Sequence, residues 1–310
     1  MPDQYSGTSA LADQVKAAYD RNAMFALRAG GVFDQFARVK PGNVTSPGDS
    51  VSFLFWADLA PATAALAETV DVDAVALSDS LVTITPQEYG NAILTTVRVK
   101  ANTYLMSFDA DASNIVNYNM VDSLERIAEA ALRAGATSTA VNASGEASNT
   151  AGDVLTLNRL RQEVATLRKN SVAPINGDSY VAILHPDVSF DLMTASASTD
   201  WAAFAQRQAG QEWRAGQIAQ AAGLSFIESS RAFIDANGGA SNVDNYSTYI
   251  LGQDAFGKAE SIPAHIVPGP ITDKLMRFRP LGWHAYLGYK VIRQAAAREV
   301  VSASSLGANT

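Results

Sequence analysis

A chain of 310 residues, 47% of them apolar, can bury a sizeable core as about two domains or one large one. Its net charge of −8 excludes a general nucleic-acid binder, which needs a basic footprint, and leaves room only for a local basic patch. With no cysteine, disulfides, zinc–thiolate sites and thiol nucleophiles are excluded together.

The N-terminus, Met1-Pro2-Asp3-Gln4, has no basic stretch followed by an apolar core, so no secretory signal is expected. No apolar run reaches the length of a membrane span, and a soluble product without membrane contact is expected. Leu11, Val15, Ala18 and Tyr19 recur at helical spacing. Gly30-Gly31 ends that pattern, and residues 1–40 read either as an arm with one short helix and a loop or as a helix packed on its own domain.

Residues 50–100 carry the strongest signal. Ser50-Val51-Ser52-Phe53-Leu54-Phe55-Trp56 alternates, as do Leu81-Val82-Thr83-Ile84-Thr85 and Ile93-Leu94-Thr95-Thr96-Val97-Arg98-Val99. Alternation predicts strands with one face against protein. The first strand would span roughly 23 Å at about 3.3 Å per residue. Between the arms, residues 57–80 hold Asp58, Glu68, Asp71, Asp73 and Asp79 and no Lys or Arg. The spacing of Asp71 and Asp73 lacks the glycine and later glutamate of a calcium loop, so a solvated acidic tip is expected rather than a metal site. A lone hairpin is marginally stable in water and must lie on something else, either its own chain or a neighbouring copy. Pro86 and Gly90 predict a kink or bulge in the returning strand.

Residues 119–135 form the clearest helix, with Val121, Leu124, Ile127, Ala128, Ala131 and Leu132 as an apolar stripe. N-cap candidates from Asp109 to Asn114 would extend it, and Gly135 is a candidate C-cap. Residues 137–152 are nearly all small and polar, and read as a mobile loop. Leu157, Leu160, Val164 and Leu167 then mark a second helix, core-facing rather than a dimer seam. Tyr180-Val181-Ala182-Ile183-Leu184 reads as a buried strand and Pro186 as the first residue of the helix after it. Trp201, Phe204 and Trp213 fall in a further helical segment, and residues 224–228 form another short strand. Residues 233–246 read as a surface loop, Tyr249-Ile250-Leu251 as a strand, and residues 276–292 as a closing strand or hairpin. No internal repeat is present, which excludes solenoids and propellers.

Few groups invite chemistry. His185 and Asp187 follow a buried strand and are the one candidate acid–base pair of an α/β hydrolytic enzyme. The structural reading is stronger, because Asp187 also suits the first turn of a helix. Nothing in the sequence brings His185, His265 and His284 together as a metal triad. No nucleophile elbow, phosphate loop or dinucleotide fingerprint occurs, and no catalytic residue, cofactor or metal is expected. Lys274, Arg277, Arg279, Lys290, Arg293 and Arg298 cluster late in the chain. They suit either a single-strand-binding surface or a basic interface for the acidic excursion of a neighbour, and the overall acidity favours the second.

Thr85-Pro86-Gln87-Glu88-Tyr89-Gly90, the run from Asp178 through His185-Pro186-Asp187, residues 216–229, Gly282-Trp283 and Gly288-Tyr289-Lys290 together resemble a known family. It is the major capsid proteins of tailed bacteriophages with the Hong Kong 97 fold, in the group that includes the coat of the podovirus N-four. The resemblance implies an α+β capsid fold with residues 1–48 as N-terminal arm and 49–100 as extended hairpin loop over an adjacent subunit. Residues 101–172 would be a peripheral domain with a long spine helix near 112–135, and 173–256 an axial domain. Residues 257–310 would return to the peripheral domain and form the C-terminal tail. It implies a non-enzymatic virion protein, assembled in the bacterial host cytoplasm as hexamers and pentamers of an icosahedral head around double-stranded DNA, held non-specifically. Portal, scaffold and decoration proteins are implied as further partners. An encapsulin-like shell is the near alternative. The subunit-contact residues expected are Phe53, Phe55, Trp56, Asp71, Asp73, Glu88, Tyr89, Arg277, Arg279 and Lys290.

Overall fold

The computed structural model describes residues 31–41, 50–63, 65, 71, 74–102, 108–175, 177, 179–195, 217–270 and 273–306. The helix expected around Leu11 to Tyr19, the acidic residues Glu68 and Asp73, and the aromatics Trp201, Phe204 and Trp213 lie outside them. The chain divides into two compact units. Among the described residues the smaller draws on 90–120 and 265–284, and the larger on 29–89, 121–264 and 285–310.

The larger unit is built on a seven-stranded sheet. Its strands are β5 (Thr137–Ala140), β6 (Tyr180–Leu184), β7 (Gln217–Ala221), β8 (Leu224–Glu228), β9 (Ile234–Asp235), β10 (Asn245–Leu251) and β13 (Ala297–Ser302). The order is β5-β13-β10-β6-β8-β7, with β9 also on β10. The expected buried run is β6, and all five of its residues are buried. It runs parallel to β8, with Tyr180 opposite Leu224, and antiparallel to β10.

Two segments differ from their sequence reading. Residues 137–140 are not loop but strand β5, parallel to β13 with Thr137 opposite Arg298. Small polar residues serve there because the ladder is supplied by β13 and the Thr139 hydroxyl is held by Glu163 and by the Glu299 carbonyl, both at 3.1 Å. In 233–246, the expected surface loop contains β9 and the start of β10.

Helix α2 (Phe108–Gly135) has 28 residues, about 42 Å at 1.5 Å each, and begins earlier than its apolar stripe suggested. Ala128 and Leu132 are fully buried. Gly135 is the last residue of the helix and has a packing reason, since a Cβ there would come 2.6 Å from Val291 Cβ. Helix α3 (Leu157–Lys169) faces the core through Leu157, Leu160, Val164 and Leu167, and the Thr156 side chain caps it by accepting from Arg159 N–H. Its buried Glu163 is paired with Arg298 at 2.8 Å.

The second sheet has the order β1-β11-β12-β4, with β1 (Arg38–Pro41), β4 (Gln87–Thr96), β11 (Phe256–Pro268) and β12 (Phe278–Val291). β1 is parallel to β11. The expected extension of β4 to Val99 fails, because Val97–Asn102 is a helix, α1. Thr96 is the switch, its hydroxyl accepting from Val99 N–H at 3.2 Å, an N-cap that alternation alone does not reveal. Two glycines from the family phrases have a packing reason. A Cβ at Gly90 would meet the Trp283 carbonyl at 2.7 Å, and one at Gly282 would meet the Asn91 carbonyl at 2.8 Å. Residues 85–86 lie outside any strand, at the expected kink.

The arm root is docked. Phe33 is fully buried and meets the Tyr249 ring edge-on at 5.8 Å. The backbone N–H groups of Phe33 and Asp34 donate to the buried Glu125 carboxylate at 3.0 and 3.3 Å. Asp34 in turn accepts from Tyr289 OH at 2.6 Å and pairs with Lys258 at 3.0 Å. Burial raises the Glu129 carboxyl, although Tyr249 OH donates to it at 2.6 Å.

Candidate subunit-contact surface

The hairpin is a two-stranded sheet of β2 (Val51–Trp56) and β3 (Asp79–Ile84), antiparallel, with Val51 opposite Ile84 and Trp56 opposite Asp79. Side chains alternate across a strand, so this register sorts twelve residues onto two faces. Val51, Phe53, Phe55, Ser80, Val82 and Ile84 point one way. Ser52, Leu54, Trp56, Thr83, Leu81 and Asp79 point the other.

The first face is covered by the protein's own chain. Phe53 and Ile84 are buried with Ala259 and Ile292, and Val51, Phe55 and Val82 pack against that cluster. Gly257 makes room for it, since a Cβ there would come 3.3 Å from the Phe53 ring. Two lysines tie down the root of the hairpin. Lys40 Nζ donates to the Ser52 carbonyl at 2.7 Å and sits 5.3 Å from the centre of the Phe53 ring. Lys290 Nζ donates to the Thr83 carbonyl at 3.1 Å.

The second face is open. At its root the Ser52 and Thr83 hydroxyls are bonded at 3.1 Å. Beyond them Leu54 lies opposite Leu81, then Trp56 opposite Asp79, and Leu54, Trp56 and Leu81 are 49%, 64% and 62% exposed. Leu59, Val75 and Leu77 continue the exposed apolar residues outward. Exposed apolar side chains that neighbour one another on a sheet face, as Leu54 and Leu81 do here, make this face the candidate contact surface.

The expected contact residues are therefore re-sorted. Phe53 is a correction, since it is buried in its own chain's cluster, and Phe55 packs against the same cluster. Trp56 faces outward as expected. Leu54 and Leu81, which were not among the expected residues, share that exposed face, which in the sequence is marked only by Ser52, Thr83 and Asp79. Among the acidic residues, Asp71 and Glu88 are exposed, and Tyr89 is half-buried.

Of the basic residues, Arg277 is engaged within its own chain by Asp273 at 2.7 Å. That hydrogen bond holds the Asp273 carboxyl below its ordinary value. Lys290 is committed to the hairpin root, and Arg279 is exposed. Arg277 is thus engaged by a residue only four positions away, whereas Lys290 is engaged by a partner 207 positions away that its sequence neighbours do not reveal.

The candidate enzyme pair is a helix start. Pro186 opens α4 (Pro186–Ala195). His185 Nδ1 accepts from Asp187 N–H at 3.3 Å, and the Asp187 carboxylate accepts from Tyr246 OH at 3.0 Å. Burial holds the His185 pKa below its ordinary value, with Asp187 and Glu228 opposing. A cavity of about 520 Å³ in the same unit is lined by Phe36, Arg38, Ile175 and Asp254 among others, but not by His185 or Asp187. No group of three His, Cys, Asp or Glu side chains suited to a metal occurs among the described residues, nor any helix long and apolar enough to cross a membrane.

A hairpin half-covered by its own chain, a long helix and two sheets are the setting in which the comparisons with known proteins become informative. The family described as phage capsid protein matches residues 8–297. The chain belongs to that family. It is a structural capsid protein with the Hong Kong 97 fold, and the resemblance to tailed-bacteriophage capsid proteins is borne out. Among solved structures, the capsid of Ralstonia phage GP4 superposes with a TM-score of 0.76 at 12% identity, covering 94% of this chain and 96% of that one. The capsid asymmetric unit of cyanophage Pam1 gives 0.75 at 13% identity, covering 98% and 100%. The head of Helicobacter pylori bacteriophage KHP40 gives 0.71 at 13%, covering 98% and 99%. No curated protein sequence matches the chain. At these identities the structural likeness carries the fold, and the capsid role rests on the family.

Proposed function

We propose that copies of this capsid protein assemble as hexamers and pentamers into an icosahedral head enclosing double-stranded DNA, and that the protein has no catalytic activity. The observation that carries the contact is the outer face of the hairpin. Leu54, Trp56 and Leu81 are held out on a ladder whose other side is anchored in the core, and a neighbouring copy is the natural cover for them. Burying such side chains contributes roughly 25 cal/mol per Å², gained only on assembly. In this reading residues 1–48 are the arm, 49–100 the extended loop, 101–172 and 257–310 the peripheral domain and tail, and 173–256 the axial domain. The strands β5 and β13 join the sheet of the axial segment from outside it, as chain returns do. Asp71, Asp73, Glu88 and Tyr89 are proposed contacts of the loop, with Arg279 the basic residue best placed to meet a neighbour's acidic tip. Assembly in the bacterial cytoplasm and any portal, scaffold or decoration partner belong to the same proposal.

The test compares wild type with the double variant Leu54→Asp, Leu81→Asp by light scattering and electron microscopy. Wild type is expected to form capsomers or shells, and the variant to stay a folded single chain. A variant that assembles like wild type would remove the hairpin from the contact. A wild-type chain that stays monomeric under all conditions would overturn the shell reading.

A further inference from the structure

The chain has three histidines, and two of them meet. The Gly269 N–H donates to the Pro280 carbonyl at 3.1 Å, pairing the ends of β11 and β12. Four residues back along β11 and four forward along β12 from that pair stand His265 and His284. Their rings meet edge-on across the two strands, with centroids 6.0 Å apart and planes at 89°. His265 is exposed and His284 half-buried, so solvent reaches the pair.

We propose that His265 and His284 form a two-imidazole site for a divalent transition metal of the Zn²⁺, Ni²⁺ or Cu²⁺ class. Imidazole nitrogen suits these ions, and hard cations such as Mg²⁺ prefer oxygen. With metal–nitrogen bonds near 2.0–2.1 Å, two imidazoles on one ion place their ring centres about 5 Å apart. The observed separation therefore closes on an ion by a modest turn of two side chains whose backbones are already paired. No third His, Cys, Asp or Glu completes a cluster among the described residues. Water fills the remaining positions, and the site is a weak, exchangeable clip rather than a structural zinc centre. Its effect would be to pin β11 to β12 in the smaller unit.

Calorimetric titration of the full chain with Ni²⁺ tests this against His265→Ala and His284→Ala. Both residues are solvent-accessible, so the variants are expected to fold, which circular dichroism checks. The expected result is that either substitution weakens Ni²⁺ binding at least tenfold, and that Ni²⁺ raises the melting temperature of wild type alone. Electron paramagnetic resonance with Cu²⁺ should show two coupled imidazole nitrogens in wild type and one in each variant. Equal Ni²⁺ affinity in wild type and variants, or a single coupled nitrogen in wild type, would overturn the site and leave only an edge-on ring contact.

Discussion

Both faces of the hairpin carry large apolar side chains, and those side chains have opposite fates. Val51, Phe53, Phe55, Val82 and Ile84 are closed against Ala259 and Ile292, while Leu54, Trp56 and Leu81 stand in solvent. One face has its cover within the chain and contributes to folding. The other is left open by the chain itself, and in the proposed assembly a neighbour covers it, so that its burial contributes to assembly. The lesson is that alternation identifies a two-faced strand, but which face is core depends on which the rest of the chain reaches.

The sharpest way to break this comparison is to truncate each face in turn. Phe53→Ala should cost about 3–5 kcal/mol, the usual loss for a buried phenylalanine, read by denaturant unfolding of the single chain. Trp56→Ala should leave that unfolding within about 0.5 kcal/mol of wild type and weaken assembly. If both variants unfold alike, the two faces are not distinct.

A smaller effect is expected at the arm root. Glu125→Ala strands the N–H groups of Phe33 and Asp34 in a buried setting, at a cost of about 1–3 kcal/mol. Hydrogen exchange at those two amides should rise before that of β10, and uniform exchange would show that the arm root does not open separately.

Acid provides a further contrast. Burial pushes the Asp122 carboxyl up, but hydrogen bonds from Arg231 and Arg126 more than reverse this, so its pKa lies below the usual 3.8. Such a group contributes stability at pH above its unfolded value and loses it as pH falls through the folded one. Stability of the single chain should therefore fall more steeply below about pH 4 in wild type than in Asp122→Asn. Identical slopes would mean that the pairing with Arg231 at 2.7 Å adds nothing.

The smallest effect concerns the acidic tip. Asp71→Asn with Asp73→Asn should slow assembly at low salt and change little at high salt, because exposed charges are screened over about 10 Å at 0.1 M. A salt-independent difference would argue for shape rather than charge.

Much of the fold is local enough to read directly. The apolar stripe of α2, the buried run of β6, the capping role of Pro186 and the alternation of β2 and β3 all follow from residue type and period. The family phrases are legible only as a resemblance, and their glycines at 90 and 282 turn out to be places where one strand's backbone approaches another's. The signal fails where a distant partner decides. Thr137–Ala140 becomes a strand because β13 offers a ladder. Val97–Asn102 becomes a helix because a single threonine caps it. His265 and His284 become neighbours because β11 and β12 pair in one register.

By itself, then, the sequence determined that a two-faced hairpin accompanies an α+β body, because alternation and turn chemistry act over a few residues. Only the tertiary structure decided that Phe53 belongs to the core and Leu54 and Leu81 to the outside. The period of two is blind to phase, and the phase is chosen by what Ala259 and Ile292, some 200 residues further along the chain, can cover.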